Sequence, residues 1–245
     1  MEAHVNTQQC SKVSAAVENV NKINITFISD THEHHQFMDG DLSPGDVIVH
    51  SGDFTNGESS TDCDFNSVRQ FLDWFSKLPF KHKIFIGGNH DHALQFTDQF
   101  DELLNQYPNV NYLFNSSVTV SINIQQLKFY GSPFNTRGMF YFSEEDLHRQ
   151  AALIQPCDVL ITHNMPYDTE ILQNKVDQIK PRIHAFGHMH GHWGVNIRDG
   201  VVYINSSSVS HHVYKNKPIR VNLDQQKVDI VDFENITYWD PFPGK

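Results

Sequence analysis

The 245 residues carry 18 Lys and Arg against 29 Asp and Glu, a net charge of −11. That balance argues against a general nucleic-acid binder, which neutralises phosphates with clustered basic residues. Hydrophobic residues at 39% and charged residues at 19% indicate a globular chain, and no apolar run is long enough for a membrane span.

Three cysteines (Cys10, Cys63 and Cys157) with no CxxC pair argue against a disulfide framework or zinc ribbon, and Cys157 is expected to be a buried small hydrophobe. Residues 1–21 are polar and aperiodic, so they are expected to form a flexible tail. They lack the apolar core of a signal peptide, and the expected location is cytoplasmic. Residues 23–29, rich in β-branched and aromatic side chains, predict a buried strand, and 46–50 a second. Over 64–78 the apolar stripe Val68, Phe71, Leu72, Phe75 and Leu78 predicts a helix. A strand is expected at 83–86 and a short helix at 98–107. Strands are predicted at 111–114, 118–124 and 127–130, the middle one from alternation of Val118, Val120, Ile122 and Ile124. A helix over 144–154 is expected to be capped by Ser143. A strand at 158–162, a helix at 169–178 and strands at 183–186, 201–204, 219–223 and 228–231 complete one domain over 22–233, with 234–245 as a C-terminal tail. The pattern predicts an α/β fold of two sheets packed face to face with helices outside.

Five of these strands share one ending. Asp30-Thr31-His32 follows the first, Gly52-Asp53 the second and Gly88-Asn89-His90-Asp91 the third; His163 and Gly187-His188-Met189-His190 follow two later ones. Ligands of α/β folds gather beyond the carboxyl ends of strands, so these clusters are expected to converge. Imidazole with carboxylate and amide oxygen suits Mn, Fe, Zn or Co, and Mg is also admissible. Seven donors (Asp30, His32, Asp53, Asn89, His163, His188 and His190) exceed the needs of one ion and suit two that share a carboxylate. The glycines before Asp53, Asn89 and His188 are expected to allow tight turns and close approach to a bound anion. The strand-end clusters also place several of the 16 histidines, roughly three times ordinary usage, around one centre.

This ordered set resembles the calcineurin-like metallophosphoesterases. YGSP at 130–133, LITHNMP at 160–166, KPRIHAFGHMHGHWGV at 180–195 and YINSS at 203–207 are similar to the metallophosphoesterase-domain (MPPED) subfamily, which is linked with cyclic nucleotides. The resemblance implies a four-layer α/β/β/α sandwich. It implies one metal held by Asp30, His32, Asp53 and His190, and another by Asp53, Asn89, His163 and His188, with Asp53 bridging. It further implies a metal-bridging hydroxide as nucleophile, and His90 close to the phosphate as stabiliser or acid. Manganese is the expected ion in vitro. Asn89, His90, Asn205 and His211 are expected to contact substrate, and Phe134, Phe140, Tyr141 and Phe142 lie in a loop that is core, lid or base-stacking surface.

The expected substrate is a small phosphodiester such as a 3′,5′-cyclic nucleotide. Phe54-Thr55-Asn56 after Asp53, and Asp91 after His90, argue against a Ser/Thr phosphatase. The acidic surface argues against a polymer-tracking nuclease, and no membrane partner is expected. The alternative reading is a weakly active or non-catalytic metal- or nucleotide-binding module with an interaction role. His34, His35, His92, His192, His211 and His212 flank the clusters without an assigned role.

Overall fold

The computed structural model describes residues 22–57, 65–136, 143–210 and 213–231. In the first sheet β1 (Ile23–Ile28), β2 (Gly45–His50), β3 (Phe80–Phe85) and β4 (Val110–Tyr112) run parallel. The second sheet orders β5 (Ser116–Ile122), β6 (Gln125–Ser132), β7 (Val159–Thr162), β8 (Ile183–Phe186), β10 (Val201–Asn205) and β9 (Gly194–Arg198). A short ribbon joins β11 (Val209–Ser210) to β12 (Val213–Tyr214). β13 (Ile219–Leu223) then pairs antiparallel with β1 and carries β14 (Val228–Ile230) at the edge of the first sheet.

The inner faces of the two sheets meet in one buried cluster that includes Ile25, Phe27, Val49, Ile84, Phe129, Ile161, Ala185 and Ile204. Helices α1 (Phe65–Lys77) and α2 (Thr97–Leu104) cover the outer face of the first sheet through Phe71, Phe75 and Leu103. Helices α3 (Glu144–Leu153) and α4 (Glu170–Ile179) cover the second sheet through Leu147, Ala151, Leu172 and Val176. The four layers are therefore α/β/β/α. Full burial of one such Phe or Leu contributes about 1.5–3 kcal/mol, so both faces of each sheet are strongly specified. Phe54 stacks on Phe71 with ring centroids 4.1 Å apart, and this pins the loop after β2 to α1.

Local chemistry explains where elements begin and end. Ser143 caps α3 by accepting the Asp146 N–H at 3.2 Å, and Asp146 answers in a capping box. α2 stops at Leu104, three residues short of the predicted end, because residues 105–107 tighten into turns before Pro108. β5 ends at Ile122, not at Ile124: Ile122 pairs with Gln125, and Asn123 takes a left-handed φ of 54° in a two-residue hairpin turn. β9 and the β11–β12 ribbon were not predicted. Residues 1–21, Cys10, Cys63, Phe140, Tyr141, Phe142, His211, His212 and the C-terminal tail lie outside the described residues. Among the described residues no helix is long and apolar enough to cross a membrane.

Candidate metal centre

The parallel registers align the strand ends. Ile28 lies opposite His50 and His50 opposite Phe85, while Ile161 lies opposite Ala185. Asp30 and His32 therefore leave β1 beside the Gly52-Asp53 turn, where the Asp30 N–H donates to the Gly52 carbonyl at 2.9 Å. A parallel bridge between Ser29 and Ser207 ties the first sheet to the second at the same end. Two donor groups result: Asp30 with His32 and His190, and Asp53 with His163 and His188, the ligand atoms of each lying within 4.8 Å of one another.

Asp53 faces both groups. Its Oδ2 is 3.2 Å from His163 Nε2 and 3.9 Å from His32 Nε2, while its Oδ1 accepts the His90 N–H at 2.7 Å. Asn89 joins the second group, its Oδ1 lying 2.9 Å from both His163 Nε2 and His188 Nδ1. In the first group His190 Nε2 is 3.2 Å from Asp30 Oδ1 and 3.3 Å from His32 Nε2.

Three histidine rings are oriented by one segment. His163 Nδ1 donates to the Ser51 carbonyl at 2.9 Å, His32 Nδ1 to the Thr55 carbonyl at 3.1 Å and His90 Nδ1 to the Gly57 carbonyl at 2.7 Å. A carbonyl only accepts, so each Nδ1 carries a proton and each ring turns its Nε2 away from that carbonyl, where it can offer a lone pair once the ring is neutral. The His32 Nε2 lone pair faces a second ring nitrogen and a carboxylate oxygen. That donor set suits divalent ions of intermediate hardness.

The backbone here is strained. Asp30, His32, Asp53 and His188 all have left-handed φ, at 50°, 42°, 58° and 65°. Each such non-glycine residue costs on the order of 1–3 kcal/mol and persists only where surroundings hold it. Asp91 supplies much of that hold. Fully buried, it accepts the N–H groups of Asp53 (2.8 Å), Gly88 (2.7 Å), Phe54 (3.1 Å) and Thr55 (3.0 Å), and the Thr55 hydroxyl at 3.0 Å. Burial and neighbouring Asp53 push its carboxyl up to about 7, while these five donors favour the carboxylate. His50, also fully buried, accepts the Gly52 N–H at 3.2 Å and lies 3.0 Å from the Thr31 hydroxyl. Neither Asp91 nor His50 was assigned a role from the sequence. The signals were the acid closing the Gly-Asn-His-Asp run and a histidine ending an apolar strand.

The glycines before the ligands are needed for space as well as for turns. Gly52 does make a tight turn with a φ of 96°. Close approaches to ligand side chains are seen at the other two. A Cβ on Gly187 would sit 2.1 Å from Asp30 Oδ2, and one on Gly88 would sit 2.3 Å from Asp53 Oδ1. Asn205 lies beneath the histidine loop. It is 0% exposed, donates to the Met189 carbonyl at 2.8 Å and accepts from the Ser207 N–H at 3.1 Å, which lets it position the histidine loop. Ser207 in turn donates to Asp30 Oδ2 at 2.9 Å.

Electrostatics match the geometry. Burial alone would lift Asp30, but the His190 hydrogen bond and nearby His163 hold it far below the usual carboxylate range. Burial also opposes charge on Asp53, and His163 outweighs it, holding Asp53 at about 2. His163 is raised to about 10 against its own burial by Asp53, and His190 is raised by its bond to Asp30. Burial pushes His188 down to about 4 and lowers His32 as well. Ligating histidines must be neutral, so cation binding displaces the protons on His163 and His190.

Asp30, Asp53 and His163 form the buried floor, while Asn89, His90, His188 and His190 are half-buried and face outward. His34 turns back, its Nδ1 donating to the His32 carbonyl at 2.6 Å. His35 packs against Trp74, His92 is buried and His192 is exposed. Phe134 is core.

The chain is 31% identical over 222 residues to a UPF0046 protein of Caenorhabditis elegans, covering 78% of this chain and 77% of that one. It is 28% identical over 237 residues to human metallophosphoesterase domain-containing protein 1, covering 80% of this chain and 69% of that one. The fold matches the TT1561 protein of Thermus thermophilus with a TM-score of 0.55 at 13% identity, over 85% of this chain and 98% of that one. The family model for calcineurin-like phosphoesterases matches residues 23–192, a span that holds both donor groups and His90. The chain belongs to the calcineurin-like phosphoesterase family, which uses divalent metal ions.

Proposed function

We propose that the protein is a dinuclear metal-dependent phosphodiesterase acting on small phosphodiesters, with 3′,5′-cyclic nucleotides the leading substrate class. One observation carries this reading: the two donor groups meet at Asp53 Oδ2, with the half-buried His90 ring 5.0 Å from that of His32. Asp30, His32, Asp53 and His190 would hold one ion, and Asp53, Asn89, His163 and His188 the other. Two divalent ions, manganese in vitro, supply Lewis acidity to phosphoryl oxygens and lower the pKa of bound water.

The protein's residues do the positioning. Asp53 presents Oδ2 to both groups because its Oδ1 is tied to the His90 N–H. His90 has its Nδ1–H tied to the Gly57 carbonyl, which leaves Nε2 for the substrate. In its protonated form that atom donates to a phosphate oxygen or to the departing alkoxide. The ring is 5.0 Å from that of His32, so phosphate at the centre lies within its reach. In a chain of net charge −11, bound ions are also what makes an anionic substrate acceptable.

The test is turnover of bis(p-nitrophenyl) phosphate and 3′,5′-cyclic AMP by protein stripped of metal and reloaded with Mn, Fe, Zn, Co or Mg. The expected result is metal-dependent hydrolysis that disappears in Asp53→Asn. Bound metal with no turnover under any of these ions would leave a non-catalytic metal-binding module instead.

A further inference from the structure

β4 closes one edge of the first sheet and β5 one edge of the second, and both strands lie in one uncharged stretch. Between Glu102 and Lys128 stand 25 residues with no charged side chain and no histidine, in a chain that is 19% charged. β5 lacks the devices that commonly blunt a sheet edge. It is seven residues long, holds no proline or charge, and pairs with β6 at seven consecutive positions without a bulge. Among the described residues no strand pairs with its far side.

The hairpin turn decides which backbone groups face outward. Ile122 and Gln125 close a two-residue turn and so form a hydrogen-bonded pair. Alternation then gives the backbones of Val118, Val120 and Ile122 to β6 and turns the N–H and C=O groups of Ser117, Thr119 and Ser121 outward. The side chains of these three are exposed, whereas Val120 and Ile122 enter the core between the sheets. His82 hydrogen-bonds the Ser121 backbone, and a carbonyl's second lone pair still serves a strand partner.

Symmetry sets which partner fits. Antiparallel pairing of β5 with itself about Thr119 places Ser117 opposite Ser121 and Val118 opposite Val120, so hydroxyl meets hydroxyl and valine meets valine. The same register, continued past the strand ends, places Phe114 opposite Ile124. These are two large hydrophobic side chains that the fold leaves in solvent, 45% and 79% exposed. No like charges meet along this pairing, while a net charge of −11 on each copy opposes contact elsewhere.

We infer that β5 is a dimer interface: two copies join edge to edge about a two-fold axis at Thr119, extending the second sheet from six strands to twelve. Thr119 exchanges both N–H···O bonds with its counterpart, and the two Ser117–Ser121 pairs do the same. Phe114 is covered by Ile124 of the second copy. A two-fold pairing of this kind is closed, so association stops at two chains.

The test is light scattering and sedimentation velocity on metal-loaded full-length protein from about 1 to 100 μM. A species of twice the 28.2 kDa chain mass is expected. Thr119→Lys and Thr119→Glu each set like charges against one another on the axis, so each should be monomeric while keeping the far-UV circular dichroism of the wild type. An equimolar mixture of the two should return to a dimer, because opposite charges then meet. Ile124→Ser should weaken the dimer roughly tenfold. A monomeric wild type over this range, a dimeric Thr119→Lys, or a mixture that stays monomeric would overturn the interface.

Discussion

Asp91 holds Asp53 from behind. Its Oδ2 accepts the Asp53 backbone N–H at 2.8 Å, and Asp53 returns Oδ1 to the N–H of His90, the residue before Asp91, at 2.7 Å. The two loops after β2 and β3 are thus latched through one buried acid that ligates nothing. Asp91→Asn sets an amide N–H₂ against some of the donors now satisfied. It should cost about 3 kcal/mol of stability and lower metal affinity about 10–100-fold. Urea unfolding and a metal titration read the two effects, and wild-type values in both would remove Asp91 from the account.

Asn205 provides a test of positioning against substrate contact. Loss of its bond to the Met189 carbonyl frees the loop carrying His188 and His190. Asn205→Ala should weaken metal binding by about 10–100-fold while KM at saturating metal stays unchanged. A raised KM with normal metal affinity would instead favour the substrate contact that the sequence suggested.

Acid should destabilise the fold through buried neutral histidines. Burial depresses His50 and His184 to about 3, below the ordinary value of 6.5. The unfolded chain binds protons first, so this contribution is fully present above pH 6.5 and is lost as pH falls from there towards 3. Each group adds a slope of about 1.4 kcal/mol per pH unit in that window. His184 packs against Phe186 and Tyr203, so His184→Phe should fold and remove one such slope. Denaturant unfolding of the metal-free protein at pH 7, 6 and 5 measures it, and an unaltered slope in the variant would refute the assignment.

Much of the site was legible because the metal donors sit in short runs directly after apolar strands, and the chain order of those runs is distinctive. Asp30, His32, Asp53, Asn89, His163, His188 and His190 come together for that reason. The supporting residues were harder to see. Ser207 reaches Asp30 across 177 positions, and nothing local in YINSS marks its hydroxyl for that carboxylate. Likewise three backbone carbonyls orient His32, His90 and His163, and no side-chain pattern encodes a carbonyl. β9 escaped because Gly194–Arg198 is a short edge strand that leaves Ile197 58% exposed, so its apolar pattern is weak.

The central claim is that two ions share Asp53 and that His90 serves the phosphate without holding metal. Metal content per chain, measured by mass spectrometry on wild type, Asp53→Asn and His90→Ala after equal loading and desalting, tests it most directly. The account predicts two equivalents in wild type, nearly none in Asp53→Asn, and two in His90→Ala with phosphodiester turnover lost. Unchanged metal in Asp53→Asn would contradict it.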